Sequence, residues 1–445
     1  MKQTILTIAA ALLLCLPGFA QEPVKVNPEA IQKKIAKSDE EIANEKKATK
    51  ASTWMKRGDL MLEAENAYTA QLFESAPVNI VLMKIGEPGA QEMARIGSND
   101  YIKLAYGAFD VYVDPATQTV SGWDVTAPIY GEAIDKAVEA YLKSLELNPK
   151  LAKKVNEGFF NINNTLRKNA NSKFFLQDYK AATNYYQRAY EVSIIPEGGL
   201  VADTTSLFNA GYLAYFAGEY DRSIENLRTV EGMGYYADGM IYNIMYNSYR
   251  GAYIENKEKM AEAKEFLENA LLKFPGNSDI ISCLTDVYLV LGESPEPLIE
   301  KLKVAIEANP TNAQLKIGLG AVYSELKRYD ESIAMFDEAI AIEPQNVNLY
   351  LNKAYVYTYK GDAYAKELNE MSWNDENRAG VRALQMQAYI DSIVPFEQAH
   401  SLIPQDINTV EFLKSVCFQV RNEGEEYMKK YEHYNELFKQ MKAQQ

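Results

Sequence analysis

Two prolines and two alanines set the spacing around which this chain has to fold. Pro310 and Pro344 stand 34 residues apart, and so do Ala305 and Ala339. Between the prolines, Leu319, Gly320, Tyr323, Tyr329 and Phe336 fall at the offsets of two short amphipathic helices joined by a turn. Proline has no backbone N–H and clashes with the preceding turn, so Pro344 ends its helix. One helix pair of this length cannot bury its apolar stripe alone and must stack on the next pair. Gly320 marks the close approach within a pair, and Ala339 the contact between pairs.

The pattern recurs along the second half of the chain. Ile281, Leu284, Tyr288 and Gly292 belong to a first helix, and Leu298, Leu302 and Ala305 to its partner. Ala263, Leu267, Ala270 and Pro275 mark an earlier second helix, paired with the Tyr-rich stretch 237–253. Gly211, Gly218, Tyr220, Ser223 and Leu227 repeat the order of small, turn, aromatic, small and large residues, and Tyr179, Ala182, Tyr186 and Ala189 another second helix. Ala339 and Ala399 are 60 residues apart. That leaves an excess of about 26 over one period. The excess, about 363–388 and including Trp373, is expected as an insertion between the two helices of one pair. These residues resemble the tetratricopeptide repeat (TPR) family. The resemblance implies an all-α, right-handed superhelical solenoid whose inner face holds other molecules. Repeats are expected over 150–405, and capping helices over 406–445.

The region before Pro149 reads as one repeat cut in two. Trp54 and Gly58 sit where a first helix needs them, and Ala137, Tyr141 and Ser144 where a second helix does. Gly58 and Ala137 are 79 residues apart, so the first repeat, 54–149, carries an insert at about 75–127. GEPG at 86–89 and GSND at 97–100 are turn signals, and FDVYVDPATQTVSGW alternates around a turn as a β-hairpin does. Strands are therefore expected from about 78 to 125. The order of turns and strands is similar to small lipoproteins that assist outer-membrane barrel assembly, over fewer than 50 residues. Residues 21–53 read as a solvated, charged leading helix, and KKATKASTWMKRGDL resembles the opening of exported bacterial TPR proteins.

MKQTILTIAAALLLCLPGFA carries Lys2, an apolar run from Ile5 to Leu16, and a small-x-small site ending at Ala20. It reads as a signal peptide over 1–20, cleaved before Gln21, with a periplasmic product. The alternative is a lipoprotein anchored at Cys15, although Leu14 stands where such signals want a small residue. Cys283 and Cys417 read as separate buried thiols. The net charge of −15 disfavours nucleic acid and anionic lipid headgroups as partners, and no nucleic acid is expected. No transmembrane segment is expected. Peripheral association with the outer membrane, within an envelope complex, is compatible with the barrel-assembly resemblance.

The chemistry-bearing residues are sparse. His400 and His433 are the only histidines, which excludes multi-histidine metal sites, and no nucleophile elbow or phosphate loop occurs. Gly232-Met-Gly234 follows a helix, not a strand, and reads as a loop between repeats. No enzyme activity, metal or cofactor is expected. The 31 tyrosines are the feature left over. Counted from the anchored repeats, Phe208, Tyr212, Tyr215, Asp286, Leu351, Tyr355 and Tyr359 should line an inner groove. Tyrosine buries area at low entropic cost and keeps a polar tip. The groove departs from the carboxylate-clamp pattern, with Tyr212, Asp286, Ala321 and Tyr355 where Lys and Asn are used. The expected function is a non-enzymatic scaffold or adaptor for a partner protein or extended peptide. Carbohydrate binding on the aromatic groove, or on Trp123 and Trp373, is the alternative.

Overall fold

The computed structural model describes residues 26–195 and 201–443; the segment read as an export signal, Cys15 included, lies outside them. The chain divides into two compact units, with the boundary between Tyr235 and Tyr236.

The first unit opens with α1 (Pro28–Ala43), α2 (Glu45–Ala48) and α3 (Ala51–Asn66). Asn27 caps α1 by accepting the Ala30 N–H, with Pro28 at the first helical position. The leading helix is not the solvated arm expected from its charge. Ile31 and Ile35 are buried, and the buried Arg57 of α3 donates to Ser38 and pairs with Asp39 at 2.7 Å. After the insert come α5 (Ala133–Leu147), α6 (Ala152–Phe175), α7 (Tyr179–Ser193), α8 (Thr204–Phe216) and α9 (Tyr220–Gly232). Helices α3 and α5 pack as one pair across the insert. The fully buried Tyr141 ring of α5 lies between Gly58 of α3 and Gly158 of α6. Its hydroxyl donates to Asp59 at 2.8 Å.

The insert holds a short helix, α4 (Val78–Ile85), followed by strands β1 (Ala90–Ile96), β2 (Asn99–Ala105), β3 (Phe109–Val113) and β4 (Val120–Val125). They form an antiparallel meander in the order β1-β2-β3-β4. The sequence placed strands from about 78. VNIVLMKI there is instead helical, closed at Gly86, whose φ of 101° only glycine adopts readily. Leu104, Val111, Val113, Val120 and Trp123 form the sheet core with Val81 of α4. The sheet seats on α6: Phe175 packs against Gly122, and Lys173 pairs with Asp124 at 2.7 Å.

The second unit contains α10 (Met240–Tyr253), α11 (Lys257–Lys273), α12 (Ser278–Leu291), α13 (Glu296–Ala308), α14 (Ala313–Glu325), α15 (Tyr329–Ile342), α16 (Val347–Glu370), α17 (Arg378–Leu402), α18 (Ile407–Val420) and α19 (Glu425–Ala443). A signal missed in the sequence organises the joints. Two residues after Pro275, Pro310, Pro344 and Pro404 stand Asn277, Asn312, Asn346 and Asp406. Each of the four caps the helix that follows. Proline closes one helix and the Asn or Asp opens the next. Gly320 sits against the Phe336 ring, Ser332 donates to the Gly320 carbonyl at 2.7 Å, and Ala339 is fully buried.

The excess around Trp373 is not a separate segment between two standard helices. It is spent in lengthening both, to 24 residues in α16 and 25 in α17, with only 371–377 left as the connection. The added turns reuse a device from the first unit. Tyr389 of α17 lies over Gly361 of α16, and its hydroxyl donates to Asp362 at 2.7 Å, as Tyr141 does with Gly58 and Asp59.

Candidate functional site

The C-terminal end of the second unit carries a concave surface lined by four aromatic rings and five polar or charged side chains. Helix α16 contributes Tyr355, α18 contributes Phe412 and Phe418, and α19 contributes Tyr431, around a recess of about 740 Å³. The core of this hairpin uses Val410, Leu413, Val416, Cys417 and Val420. That leaves Asn408, Phe412 and Ser415 on a second stripe of α18, spaced by four and three residues, where a helix brings side chains onto one face. Phe396, fully buried, stacks on Phe412 at 5.8 Å, and Tyr355 meets both rings edge-on at 5.5 and 5.2 Å. The buried ring therefore backs Phe412 and Tyr355, while Phe418 packs on Tyr431 at 5.4 Å. Phe412 and Phe418 nevertheless remain 42% and 43% exposed. Arg421 lies 3.6 Å above the Phe418 ring centroid. Burial raises the Tyr355 phenol above its ordinary value, so it stays protonated and can donate. Asn408, Glu411, Ser415 and Asn435 place polar groups around the recess. The arrangement suits an extended peptide: apolar side chains between rings, backbone groups on the amides and hydroxyls.

The structure divides the seven residues read as one groove. Phe208, Tyr212 and Tyr215 lie in the first unit; Asp286, Leu351, Tyr355 and Tyr359 lie in the second. Phe208 is buried, and Tyr212 is held between Phe208 and Phe216 at 6.3 and 4.9 Å. Tyr215 turns toward Tyr220 of its own hairpin, 6.0 Å away, and so packs within the repeat. Asp286 is a brace: it accepts the Tyr246 hydroxyl at 2.6 Å and pairs with Arg250 at 3.4 Å, joining α10 to α12. Burial, then the Asp286 carboxylate, pushes the Tyr246 phenol far up and holds its proton in that bond. Leu351 packs on the core beneath Tyr355, and Tyr359 is half exposed. Phe412, Phe418 and Tyr431 were missed because 406–445 was read as a cap; the second stripe on α18 was the available signal.

Trp123 is corrected from a surface platform to a core residue. It is 3% exposed, inside the sheet, with the Lys168 ammonium 4.9 Å from its ring centroid. Trp373 is 85% exposed in the loop of the lengthened hairpin, with Arg378 stacked on it at 4.4 Å. Cys283 and Cys417 are buried and unpaired, and burial pushes both thiols up to about 12, which leaves them poor nucleophiles. His400 sits in α17 against Tyr434, and its Nδ1 has no hydrogen-bond partner. Among the described residues, no helix is long and apolar enough to cross a membrane.

Residues 313–346, the α14–α15 hairpin, match the tetratricopeptide repeat family model. Cellulose synthase operon protein C of Pseudomonas fluorescens (strain SBW25) is 28% identical over 191 residues, which are 40% of this chain and 14% of that protein. The chain thus spans a small part of this curated relative. Two solved structures are similar in part. A tetratricopeptide repeat protein from Parabacteroides merdae has a TM-score of 0.31 at 16% identity, covering 57% of this chain and 98% of its own. A thermophilic repeat protein of Thermus thermophilus has a TM-score of 0.29 at 20% identity, covering 44% and 98%.

Proposed function

The chain is a tetratricopeptide repeat protein, and from that premise we propose that it is a non-enzymatic scaffold holding an extended segment of a partner protein. The observation that carries the reading is the recess under Tyr355, Phe412, Phe418 and Tyr431. Two of its rings, Tyr355 and Phe412, are held by a buried Phe396, and its polar groups are distributed around the rings. Rings fixed before binding lose little entropy on contact, which favours them as anchors. Of its two tryptophans, the carbohydrate reading loses Trp123 to the core and keeps Trp373, which is 85% exposed with Arg378 stacked on it. The signal-like start supports export to the periplasm with cleavage before Gln21, which mass spectrometry of the exported protein tests. A diacylglyceryl group on Cys15 would replace that proposal with a membrane-anchored protein.

A photo-crosslinking amino acid in place of Ser415, in the full chain, tests the site. Crosslinked peptide from one partner protein, with yield reduced by Phe412→Ala and Tyr355→Ala, is the expected result. A crosslink pattern unchanged by both substitutions would place recognition elsewhere. Capture of glycan by the parent but not by Trp373→Ala would favour the second reading.

A further inference from the structure

The two edges of the inserted sheet are treated differently. The outer edge of β4 is closed. Ser75 donates its N–H to the Val120 carbonyl, and Val120 donates to the carbonyl of Ala76, at 2.8 Å each. Further along, the Trp123 N–H donates to Ser172 Oγ at 2.8 Å, and the Ser172 hydroxyl donates to the Trp123 carbonyl. A serine on α6 thus stands in for the next strand.

The β1 edge has no such cover among the described residues. The direction of its free groups follows from the ladder. The Tyr106 N–H donates to Phe109 O at 2.9 Å across the β2–β3 turn. Antiparallel pairs alternate between bonded and non-bonded, so Leu104 and Ile102 face their backbone groups toward β3. Tyr101, Lys103 and Ala105 must then bond β1, through their partners Ala94, Glu92 and Ala90. Gln91, Met93 and Arg95 are left with N–H and C=O pointing away from the sheet. Edges are usually blunted by proline, a bulge or an inward charge. AQEMARI has no proline, its pairing with β2 runs without a shift from Ala90 to Ile96, and Arg95, although on the Met93 face, is 68% exposed and so is not turned inward.

We infer that β1 is a docking edge that takes an extended segment of a partner protein as a fifth strand. The chemistry of the occupant follows from the side chains that flank the free backbone. Met93 is 50% exposed on the face shared with Ile102 and the sheet core, so its neighbour in the added strand is apolar. Arg95, 68% exposed, reaches Asp100 only at 4.0 Å, so a carboxylate beside it is complementary. On the other face, Glu92 is already engaged by Lys103 at 3.3 Å and calls for no charge. The occupant is an extended segment with an apolar residue and, two positions along the same face, an acidic one. This site lies in the first unit and stands independently of the aromatic recess.

The edge makes its own test, because proline at an outward-facing position removes a free N–H without breaking the β1–β2 ladder. The full chain carrying Phe412→Ala and Tyr355→Ala, which disables the aromatic recess, is panned against a library of short displayed peptides, and the retained peptides are measured on that chain with Met93→Pro or Met93→Thr added. The expected result is a retained set with the apolar and acidic alternation. Its binding weakens about tenfold or more on Met93→Pro, as one lost backbone bond and a displaced strand require. Met93→Thr, which keeps the N–H and loses only the apolar side chain, weakens binding less than Met93→Pro does. Hydrogen exchange at Gln91, Met93 and Arg95 slows on binding, while exchange in β3 and β4 of the free proline variant matches the parent. Peptides that bind the proline variant as well as the recess-disabled chain on which they were selected, or a retained set lacking the alternation, overturn the inference. Self-association abolished by Met93→Pro would make a second copy the occupant and overturn the assignment to a partner segment.

Discussion

Replacing Gly58 with alanine tests whether one repeat really closes across the insert. A Cβ at Gly58 would lie 2.5 Å from Cε1 and 2.6 Å from Cδ1 of Tyr141. Comfortable carbon contacts begin near 3.5 Å, so ring or helix must give by about 1 Å. The ring has nowhere to retreat. A Cβ at Gly158, on another side, would meet the same ring at 2.6 Å, and the hydroxyl is tied to Asp59. Overpacking of this kind costs about 1–3 kcal/mol. Replacing a helical glycine returns about 0.5–1 kcal/mol. The net expectation is a loss of up to about 2.5 kcal/mol, the difference of those two ranges. A double-mutant cycle isolates the ring. In a Tyr141→Leu background the steric term is gone, and Gly58→Ala should become neutral or stabilising. Urea denaturation followed by circular dichroism gives the energies, and hydrogen exchange assigns the loss to α3 and α5. The reasoning fails if Gly58→Ala stabilises the parent as much as it stabilises the Tyr141→Leu chain. Gly361→Ala, against Tyr389, provides a second instance, since its Cβ would meet that ring at 2.6 Å.

Gly320→Leu and Ala339→Glu should each destabilise by about 2–4 kcal/mol, the first by overpacking Phe336 and the second by burying an unpaired charge; thermal melts within a degree of the parent would refute the assigned contacts. Tyr355→Ala with Phe412→Ala should weaken partner capture by about 2 kcal/mol per ring while helicity is kept, read by titration of the identified partner. Asp203 caps α8, and although burial raises its carboxyl, the hydrogen bonds from Ser206 and Asn163 outweigh this and hold it below its ordinary 3.8. A depressed carboxyl contributes stability above the unfolded value and loses it as the pH falls through the folded one. Asp203→Asn should therefore remove part of the acid-unfolding slope below about pH 3.8, and an unchanged slope in acid titrations would refute the cap. Arg57→Ala should free α1, read as faster hydrogen exchange at Ile31 and Ile35, because the buried guanidinium joins α3 to Ser38 and Asp39.

The repeats were legible because their joints are written in residues with one physical meaning each. Pro310 and Pro344 stop helices, Gly320 admits a ring, and Ala339 leaves room for a neighbouring pair. The split repeat was legible for the same reason, since Gly58 and Tyr141 kept their offsets on either side of the insert. Direction was harder to read. Tyr215 sits at a position that offsets assign to the groove, yet it turns toward Tyr220, a choice of rotamer and partner that spacing does not encode. Trp123 lies opposite Val111 in the core of the sheet, with Lys168 of α6 over its ring, a burial set by strand pairing and by a helix that spacing does not reveal. The stretch around Trp373 carries turn signals over seven residues only. The flanking sequence is helical in composition, and the excess went into helix for that reason. The exposed rings of α18 share a helix with a complete apolar stripe, which drew the reading toward a cap.

The lengthened hairpin shows how a stacked chain can grow without losing step. Helix α16 has 24 residues where α14 has 13, and α17 has 25 where α15 has 14, so each is longer by eleven. Eleven residues are three whole turns at about 3.6 per turn. An addition of whole turns brings the contact stripe back to the same angle, so Ala399 still meets its neighbour as Ala339 does. An addition of nine would rotate the far end by about half a turn and set polar residues against the adjoining pair. Growth across the stack is thus quantised by helical pitch, while growth along it is quantised by the repeat. The two increments are independent. A chain of this kind can alter how far one arm projects, and what its tip carries, while every join beneath it stays in phase.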